Sequence, residues 1–201
     1  QGRATVGKVA INGVIAGCQP KHLPVLVAAA RALGHPALNL KALNTTTHPC
    51  TVLAIISGPI VEEIDINSTY NALGQGALAN AAIGRALRSI LLNIGGGTPG
   101  ILDRATMGTP AKFSFCFGES GSERPWRDTL AMERGFGRNQ NTVTLCGVEG
   151  PHNVNDHYGR TAEEILLTVG GTMAQPGLNN SYLGGEILVV LGPEHRQLHP
   201  K

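Results

Sequence analysis

Uninterrupted apolar runs, several of them ended by glycine, recur along the chain. Runs rich in Val, Ile and Leu that stop at glycine are typical of strands covered on both faces of a sheet. Three runs fit this pattern, at residues 9–17, 51–58 and 186–192; a weaker fourth lies at 142–148 and a fifth, F-S-F-C-F, at 113–117. We therefore predict a sheet whose central strands are buried on both sides.

Helical patterns separate these runs, with apolar residues at the spacing of a helix that has one buried face. Three segments show this spacing: 20–33, 77–93 and 161–169. Thr161 marks the start of the third, because threonine caps free N–H groups and the acids Glu163 and Glu164 favour the positive helix end. Alternating strands and helices predict an α/β fold with a mixed or mostly parallel sheet, in a single domain over residues 1–201.

Two parts of the chain, residues 51–100 and 142–177, share one order of features. Each begins with Thr-Val and an apolar strand, passes through Gly-Pro and an asparagine-containing loop, enters a helix, and ends with Gly-Gly and then Pro-Gly. We interpret them as pseudo-symmetric strand–helix units, because the units of a solenoid are shorter and more numerous.

Charge and composition narrow the range of functions. The net charge is +2 and Lys and Arg are not clustered, whereas nucleic-acid binding needs concentrated positive charge. We expect neither nucleic acid nor a membrane as partner, since no apolar stretch reaches the roughly 18–20 residues of a membrane helix. Four cysteines without a C-x-x-C motif favour free thiols and a cytoplasmic location in a chain of this size.

Polar side chains follow the predicted strands, and ligands of open α/β sheets bind beyond the carboxyl ends of strands. Cys18 follows the first run, the segment 149–157 follows the run at 142–148, and Glu194 and His195 follow the last. We predict that such residues share a pocket. The asparagines expected to orient a polar small-molecule substrate there are Asn67, Asn71, Asn153 and Asn155.

The segment 152–157, H-N-V-N-D-H, is dense in potential metal ligands. His152, Asp156 and His157 supply imidazole and carboxylate groups, which bind zinc, nickel or iron. Two histidines five residues apart do not share a helix face, so such a site would lie on a loop. Asn and Asp are equally typical of turns and helix caps. Both interpretations stay open: a transition-metal site, for example for zinc, or a polar turn.

Cys18 stands between the glycine that ends the first run and a helix predicted to begin near Pro20. A thiol at the positive end of a helix has a lowered pKa and is a better nucleophile. The alternative is a small buried side chain, the commoner role of a free cysteine. Cys116 and Cys146 lie inside apolar runs, and we assign them to the core.

The stretch T-T-T-H-P-C at 45–50 leads into the second run. The proline keeps His48 extended, since a residue before proline avoids helical conformations, and Cys50 stands directly before the strand. In a parallel sheet these two residues would lie at the edge opposite Cys18 and the 152–157 segment. They join the pocket only if their strand runs antiparallel or the preceding loop folds back over the sheet.

Four motifs together resemble an uncharacterised bacterial protein family. They are A-G-C-x-P, T-T-T-H-P-C, N-I-G-G-G and P-H-N-V-N-D-H, within a likeness that covers nearly the whole chain. The family is loosely associated with U/C-G-S-C (seleno)proteins, which implies thiol chemistry. The resemblance adds weight to Cys18, His48, Cys50 and the 152–157 segment as a group.

These observations support three hypotheses. The first is a small-molecule enzyme of the lyase or hydrolase type, with Cys18 or Cys50 as nucleophile or metal ligand and His48, His152 or His157 as base or ligand. The second is a thiol–disulfide redox protein in which Cys18 and Cys50 exchange electrons. The third is a non-catalytic homo-oligomer, in which glycines and asparagines serve close packing and turns.

Overall fold

The computed structural model describes residues 2–121 and 128–192. They form two compact units, one from residues 2–121 with 128–150 and one from 151–192. Helices and a small sheet alternate in the described chain, which confirms the α/β class. The single domain over residues 1–201 stays a prediction.

The first unit contains six helices, three 3-10 turns and all three strands of the described chain. Its helices are α1 (Val6–Ala16), α2 (Leu23–Leu33), α3 (Leu40–Thr45), α4 (Ile60–Glu63), α5 (Leu78–Asn93) and α6 (Leu130–Glu133). Its strands are β1 (Thr51–Ser57), β2 (Cys116–Gly118) and β3 (Thr142–Val148), and its 3-10 turns are Pro20–His22, Pro36–Leu38 and Pro110–Lys112. The second unit contains α7 (Ala162–Met173) and α8 (Asn179–Leu183).

Membrane-crossing length is not reached by any single described helix. One bent pair, Pro20–Leu33 with Pro36–Thr45, meets the criteria of length and composition only when its two members are taken together.

The central strand of the sheet is β1, in the order β2-β1-β3. β2 runs parallel to it, with Ala54 opposite Cys116, and β3 runs antiparallel, with Thr51 opposite Val148. Every residue of β1 is buried, which explains why its sequence is apolar without alternation. The sheet is therefore mixed.

The two faces of β1 pack against different layers. Ala54 and Ile56 lie in the larger core with side chains of α1, α2 and α5. Leu53 and Ile55 point to the opposite face and pack with Phe115. Burial of one large aliphatic side chain contributes about 1.5–3 kcal/mol, so β1 is firmly held and fixes the position of the residues at its ends.

The strand predicted at 9–17 is wrong, because this run forms most of α1. Thr5 caps the helix by accepting a hydrogen bond from a first-turn backbone N–H at 3.3 Å, and Gly17 ends it in the left-handed conformation (φ 94°). Gly13 faces α2 so closely that a Cβ atom would lie 2.7 Å from the Cδ1 atom of Leu26. The glycines of this run therefore serve a helix contact and a helix end.

The strand predicted at 186–192 is also wrong, since residues 184–192 have no regular structure. The apolar side chains from 187 to 191 are 39–57% exposed. An apolar run becomes a strand only where a neighbour takes up its backbone hydrogen bonds, and no described ladder includes this segment. The run at 113–117 is only partly a strand, because β2 covers 116–118.

The three predicted helices are confirmed. Residues 20–33 form a 3-10 turn and α2, residues 77–93 contain α5, and residues 161–169 lie at the start of α7. Thr161 accepts a hydrogen bond from the Glu164 N–H at 3.3 Å, and the Glu164 carboxylate accepts the Thr161 N–H at 3.1 Å. This reciprocal capping box explains why α7 begins there.

Candidate functional site

Cys50 and Glu149 lie at the same end of the sheet. β1 begins directly after Cys50, and β3 ends directly before Glu149. Thr51 and Val148 form the last opposed pair of the ladder, so Cys50 and Glu149 are the residues next to that pair, one on each strand. Opposed residues of antiparallel strands point to one face, with Cβ atoms about 5 Å apart. The antiparallel pairing of β1 and β3 thus puts the end of the T-T-T-H-P-C stretch and the chain that leaves β3 at one end of the sheet, and the Glu149 carboxylate acts on the ionisation of the Cys50 thiol.

Lys112 joins this end of the sheet through the short turn that carries it. Ala111 in the same turn packs against the smaller core. A Cβ atom on Gly150 would lie 3.0 Å from the Oγ1 atom of Thr109, so this turn runs beside the chain that leaves β3. The charge of Lys112 acts on the Cys50 thiol.

Asp103 holds Lys112 and Arg88 in place. Its carboxylate is 5% exposed and lies 2.7 and 2.9 Å from the Nζ atom of Lys112, and Arg88 on α5 donates to the same carboxylate. Burial opposes ionisation of Asp103, but the hydrogen bonds from Lys112 and Arg88 outweigh it and hold the pKa of that carboxyl below its ordinary value. Two cations and one anion leave the cluster with one net positive charge.

The loop that carries Asp103 is tied to the chain entering β1. The N–H groups of Arg104 and Thr106 donate to the backbone carbonyls of Asn44 and Thr47, at 2.9 and 3.0 Å. These two bonds hold the loop against the residues that lead into β1. The charged cluster and the thiol are therefore positioned by one set of backbone contacts.

The Cys50 thiol is partly buried and uncharged at neutral pH. Burial raises its pKa above the ordinary value of 9.0, the Glu149 carboxylate raises it further, and the Lys112 ammonium group lowers it. The resting thiol is therefore neutral, and a negative and a positive group act on its ionisation in opposite directions. Such a thiol needs a proton acceptor before it can act as a nucleophile.

His48 is exposed, and its described polar contacts lie within its own loop. Its Nδ1 atom lies 2.9 Å from the Oγ1 atom of Thr46, and its backbone N–H donates to the same oxygen at 3.2 Å. The local turn thus accounts for its orientation. Its role as a base stays a prediction.

Cys18 follows the C-terminal end of α1, and its N–H donates to the Gly13 carbonyl at 2.8 Å. Burial raises the pKa of Cys18 to about 11, so the predicted lowering is wrong. The cause is that the thiol packs against the larger core, where burial disfavours the thiolate. Burial, with a contribution from Cys18, raises the pKa of Cys116 to about 12 in the same core.

The loop before α5 uses both of its predicted substrate-binding asparagines internally. Asn67 accepts the Thr69 N–H at 2.9 Å and donates to the Tyr70 carbonyl at 2.8 Å. Asn71, in the left-handed conformation (φ 58°), donates to the Gln75 carbonyl at 2.8 Å. These bonds order the loop, so a bound substrate would compete with them.

The segment 152–157 belongs to the second unit, where it borders an open groove of about 430 Å³. The Asp156 carboxylate accepts hydrogen bonds from the N–H groups of Tyr158 at 2.9 Å and Gly159 at 2.7 Å, and from the Thr168 hydroxyl at 2.8 Å. The Gly159 and Tyr158 bonds lower the pKa of Asp156. The turn interpretation of this residue therefore agrees with its contacts.

The other polar side chains of this segment are exposed: His152, Asn153, Asn155 and His157. Within residues 2–121 and 128–192, no group of three His, Cys, Asp or Glu side chains is arranged to hold a metal ion. The predicted site of His152, Asp156 and His157 thus gains no support from their positions. Glu194 and His195 lie outside the described residues.

The charged cluster was largely missed by reasoning from the sequence. Arg88, Asp103 and Lys112 have no local sequence pattern that separates them from surface residues. Their contacts span 15 and 9 residues of sequence, so they arise from the fold. Glu149 carries a detectable signal, since it directly follows a predicted strand.

Comparisons of the chain with protein-family models, curated proteins and solved structures found no match. The likeness to an uncharacterised bacterial family rests on the motifs quoted above and stays a proposal. The roles considered below therefore derive from the geometry and chemistry of the residues themselves.

Proposed function

We propose that this chain is a small-molecule enzyme of the hydrolase or lyase type, with Cys50 as its nucleophile. A thiol nucleophile needs one group that takes its proton and another that stabilises the negative charge formed on the substrate. Glu149 and Lys112 have the required chemistry. The observation that carries the proposal is the antiparallel register of β1 and β3, whose last pair, Thr51 and Val148, adjoins Cys50 and Glu149.

The support from Asp103 strengthens this assignment. Lys112 is bonded through Nζ to both oxygens of a buried carboxylate, so its ammonium group is held in one position. A charge that is already oriented costs little reorganisation when the transition state forms. The same contact leaves one of the three Nζ donors of Lys112 for an oxygen atom of a substrate.

Cys50 is favoured over Cys18 by its surroundings. Burial in the larger core raises the pKa of Cys18 to about 11. Among the described residues, no basic side chain contributes to this shift in the Cys18 pKa. Cys50 lies between two charged groups that act on its ionisation in opposite directions. A base next to a neutral thiol can remove the proton as the new bond forms.

The proposal is tested with activated acyl compounds, of which p-nitrophenyl acetate is the simplest. We expect an acyl adduct on Cys50 by mass spectrometry of the intact protein and its peptides, followed by turnover. Cys50→Ser should lower the rate at least 100-fold, about the scale of losing a covalent nucleophile. Cys146→Ser, which removes a partly buried thiol of β3, is the matched control and should keep the rate. An unmodified Cys50, or equal losses in both variants, would contradict the proposal.

Thiol–disulfide exchange is a second candidate, and the positions of the thiols favour Cys18 with Cys116. Both thiols belong to one core, and Cys18 influences the ionisation of Cys116. Cys50 is too far from Cys116 to pair with it. Cys116 is opposite Ala54, and Cys50 precedes Ala54 by four residues, which is roughly 13 Å along a strand. Thiol titration before and after treatment with oxidised glutathione tests this candidate. A loss of two thiols supports it, whereas four free thiols after treatment would rule it out.

A further inference from the structure

The charges around Cys50 indicate what kind of bond the site can break. We infer that its substrate is a small, uncharged primary carboxamide, which the site hydrolyses to a carboxylic acid and ammonia. This inference rests on the proposed function and adds the substrate class and separate roles for Glu149 and Lys112.

The pairing of Cys50 with a carboxylate favours a leaving group that must be protonated. An amide nitrogen leaves a tetrahedral intermediate only after it has gained a proton, whereas an activated ester needs none. Glu149, which adjoins the last register pair of β1 and β3 on the same side as Cys50 does, can first accept the thiol proton and then deliver it to the departing nitrogen. A neutral thiol and a neighbouring carboxylate therefore suit amide cleavage.

The charge balance of the site favours an uncharged substrate. Asp103 neutralises one of the two cations Arg88 and Lys112, and the Glu149 carboxylate acts on the same thiol as the Lys112 ammonium group. The Glu149 carboxylate would repel an anionic acyl group, and Lys112 and Arg88 would repel a cationic one. A neutral carbonyl can instead place its oxygen at the remaining Lys112 donor, where negative charge develops during attack.

Burial favours an amide at the end of a small molecule. The Lys112 side chain is 13% exposed, and Cys50 is partly buried. A peptide bond has bulky groups on both sides, and both would have to approach these recessed atoms. A primary carboxamide carries only hydrogen on its nitrogen, so its reacting end is narrow.

The chemical steps balance without any further reagent than water. The Cys50 proton moves to Glu149 as sulfur bonds to the carbonyl carbon, and the electron pair of the C=O bond moves to oxygen beside Lys112. The C–N bond then breaks, the nitrogen takes the proton from Glu149, and ammonia leaves a thioester on Cys50. Water attacks the thioester, gives its proton to Glu149, and the C–S bond breaks to release the acid. The thiolate regains the proton from Glu149.

The test measures ammonia released from acetamide, propionamide and butyramide by the wild-type protein, with p-nitrophenyl acetate as a second substrate. We expect ammonia release together with a thioester on Cys50. Glu149→Gln should lower both rates, because Glu149 accepts the thiol proton with either substrate, but ammonia release should fall at least 10-fold further, since only the amide also needs the acid. Glu62→Gln, at an exposed carboxylate of α4, is the matched control and should change neither rate. Unfolding curves of each variant show that the fold is kept.

The outcomes separate this inference from the proposed function. Ester turnover through Cys50 without release of ammonia from the wild type overturns the carboxamide assignment and leaves Cys50 as nucleophile. Equal losses of both activities in Glu149→Gln overturn the assignment of Glu149 as the acid. A wild type that neither releases ammonia nor acylates Cys50 overturns both proposals. Ammonia release that survives Cys50→Ser also overturns both.

Discussion

The Nζ atom of Lys112 lies 2.7 and 2.9 Å from the two carboxylate oxygens of Asp103, which is 5% exposed. Arg88 donates to the same carboxylate from α5. The Asp103 carboxylate thus connects helix α5, the turn at 110–112 and its own loop, which is bonded to the chain that leads into β1. The cluster holds Lys112 in place at the candidate site, and its contribution to the free energy of unfolding can be measured.

Replacing Asp103 with Asn should lower the free energy of unfolding by about 3 kcal/mol, because the change leaves two cations without their shared anion. Urea unfolding at pH 7 measures the loss. Asp65→Asn is the matched control, since Asp65 makes a surface ion pair with Lys21 and its side chain is 80% exposed; exposed pairs add little stability. Equal stability of the Asp103→Asn variant and the wild type would show that the cluster is not a stabilising element.

Acid should destabilise the fold partly through His22, which is 1% exposed. Burial lowers its pKa below the ordinary value of 6.5, and the positive charge of Lys21 lowers it further. The unfolded chain therefore takes up a proton near pH 6.5 while the folded chain does not, so this contribution is complete above pH 6.5 and is lost as the pH falls below it.

The variant His22→Gln isolates this effect. The imidazole Nδ1 atom accepts the Gln19 N–H at 3.1 Å, and a glutamine side chain can accept such a bond without titrating. We expect a flatter decline of stability between pH 6.5 and 5 for the variant, measured by urea unfolding at several pH values. A decline as steep as that of the wild type would exclude His22 as its source.

Two glycines in helices should respond oppositely to alanine. A Cβ atom at Gly84 in α5 would lie 2.6 Å from the backbone nitrogen of Phe115 and 2.3 Å from the Oγ atom of Ser114, so Gly84→Ala should destabilise the fold by about 1–3 kcal/mol. Gly170 in α7 has no heavy atom within 4 Å of that position. Gly170→Ala should stabilise its helix by about 0.5–1 kcal/mol, the gain in helix propensity. Thermal unfolding distinguishes the two, and the same sign for both would contradict the packing at Gly84.

Alkylation of Cys50 should become faster in Glu149→Gln and slower in Lys112→Met. The negative charge of Glu149 raises the pKa of Cys50 and the positive charge of Lys112 lowers it, and the thiolate is the species that reacts with iodoacetamide. The measurement is the pH dependence of iodoacetamide labelling at Cys50, followed by peptide mass spectrometry. Identical pH profiles in all three proteins would place Cys50 outside the electrostatic reach of both groups.

The parts of the fold that were predictable from sequence are those with a local cause. β1 is recognisable because a fully buried central strand needs an unbroken apolar run, and the start of α7 because Thr161 and Glu164 cap each other within one turn. The run at 9–17 misled because glycine and β-branched residues are ambiguous over short lengths. Its two glycines serve a helix packing contact and a helix end, which depend on α2 and on backbone conformation.

The candidate site shows the same division. Cys50 was a candidate by residue type, although its place before a strand set it at the edge opposite Cys18 in a parallel sheet. Glu149 was noted only as a residue that follows a strand. Their proximity was not predictable, because it depends on whether β1 and β3 run parallel or antiparallel. The sequence by itself thus determined the α/β class, the buried strand β1 and the helices α2, α5 and α7, all of which depend on residues near one another in the chain. Only the tertiary structure decided the strand direction, the union of Arg88, Asp103 and Lys112, and the partner of Cys50, because strand pairing and buried charge contacts join distant segments.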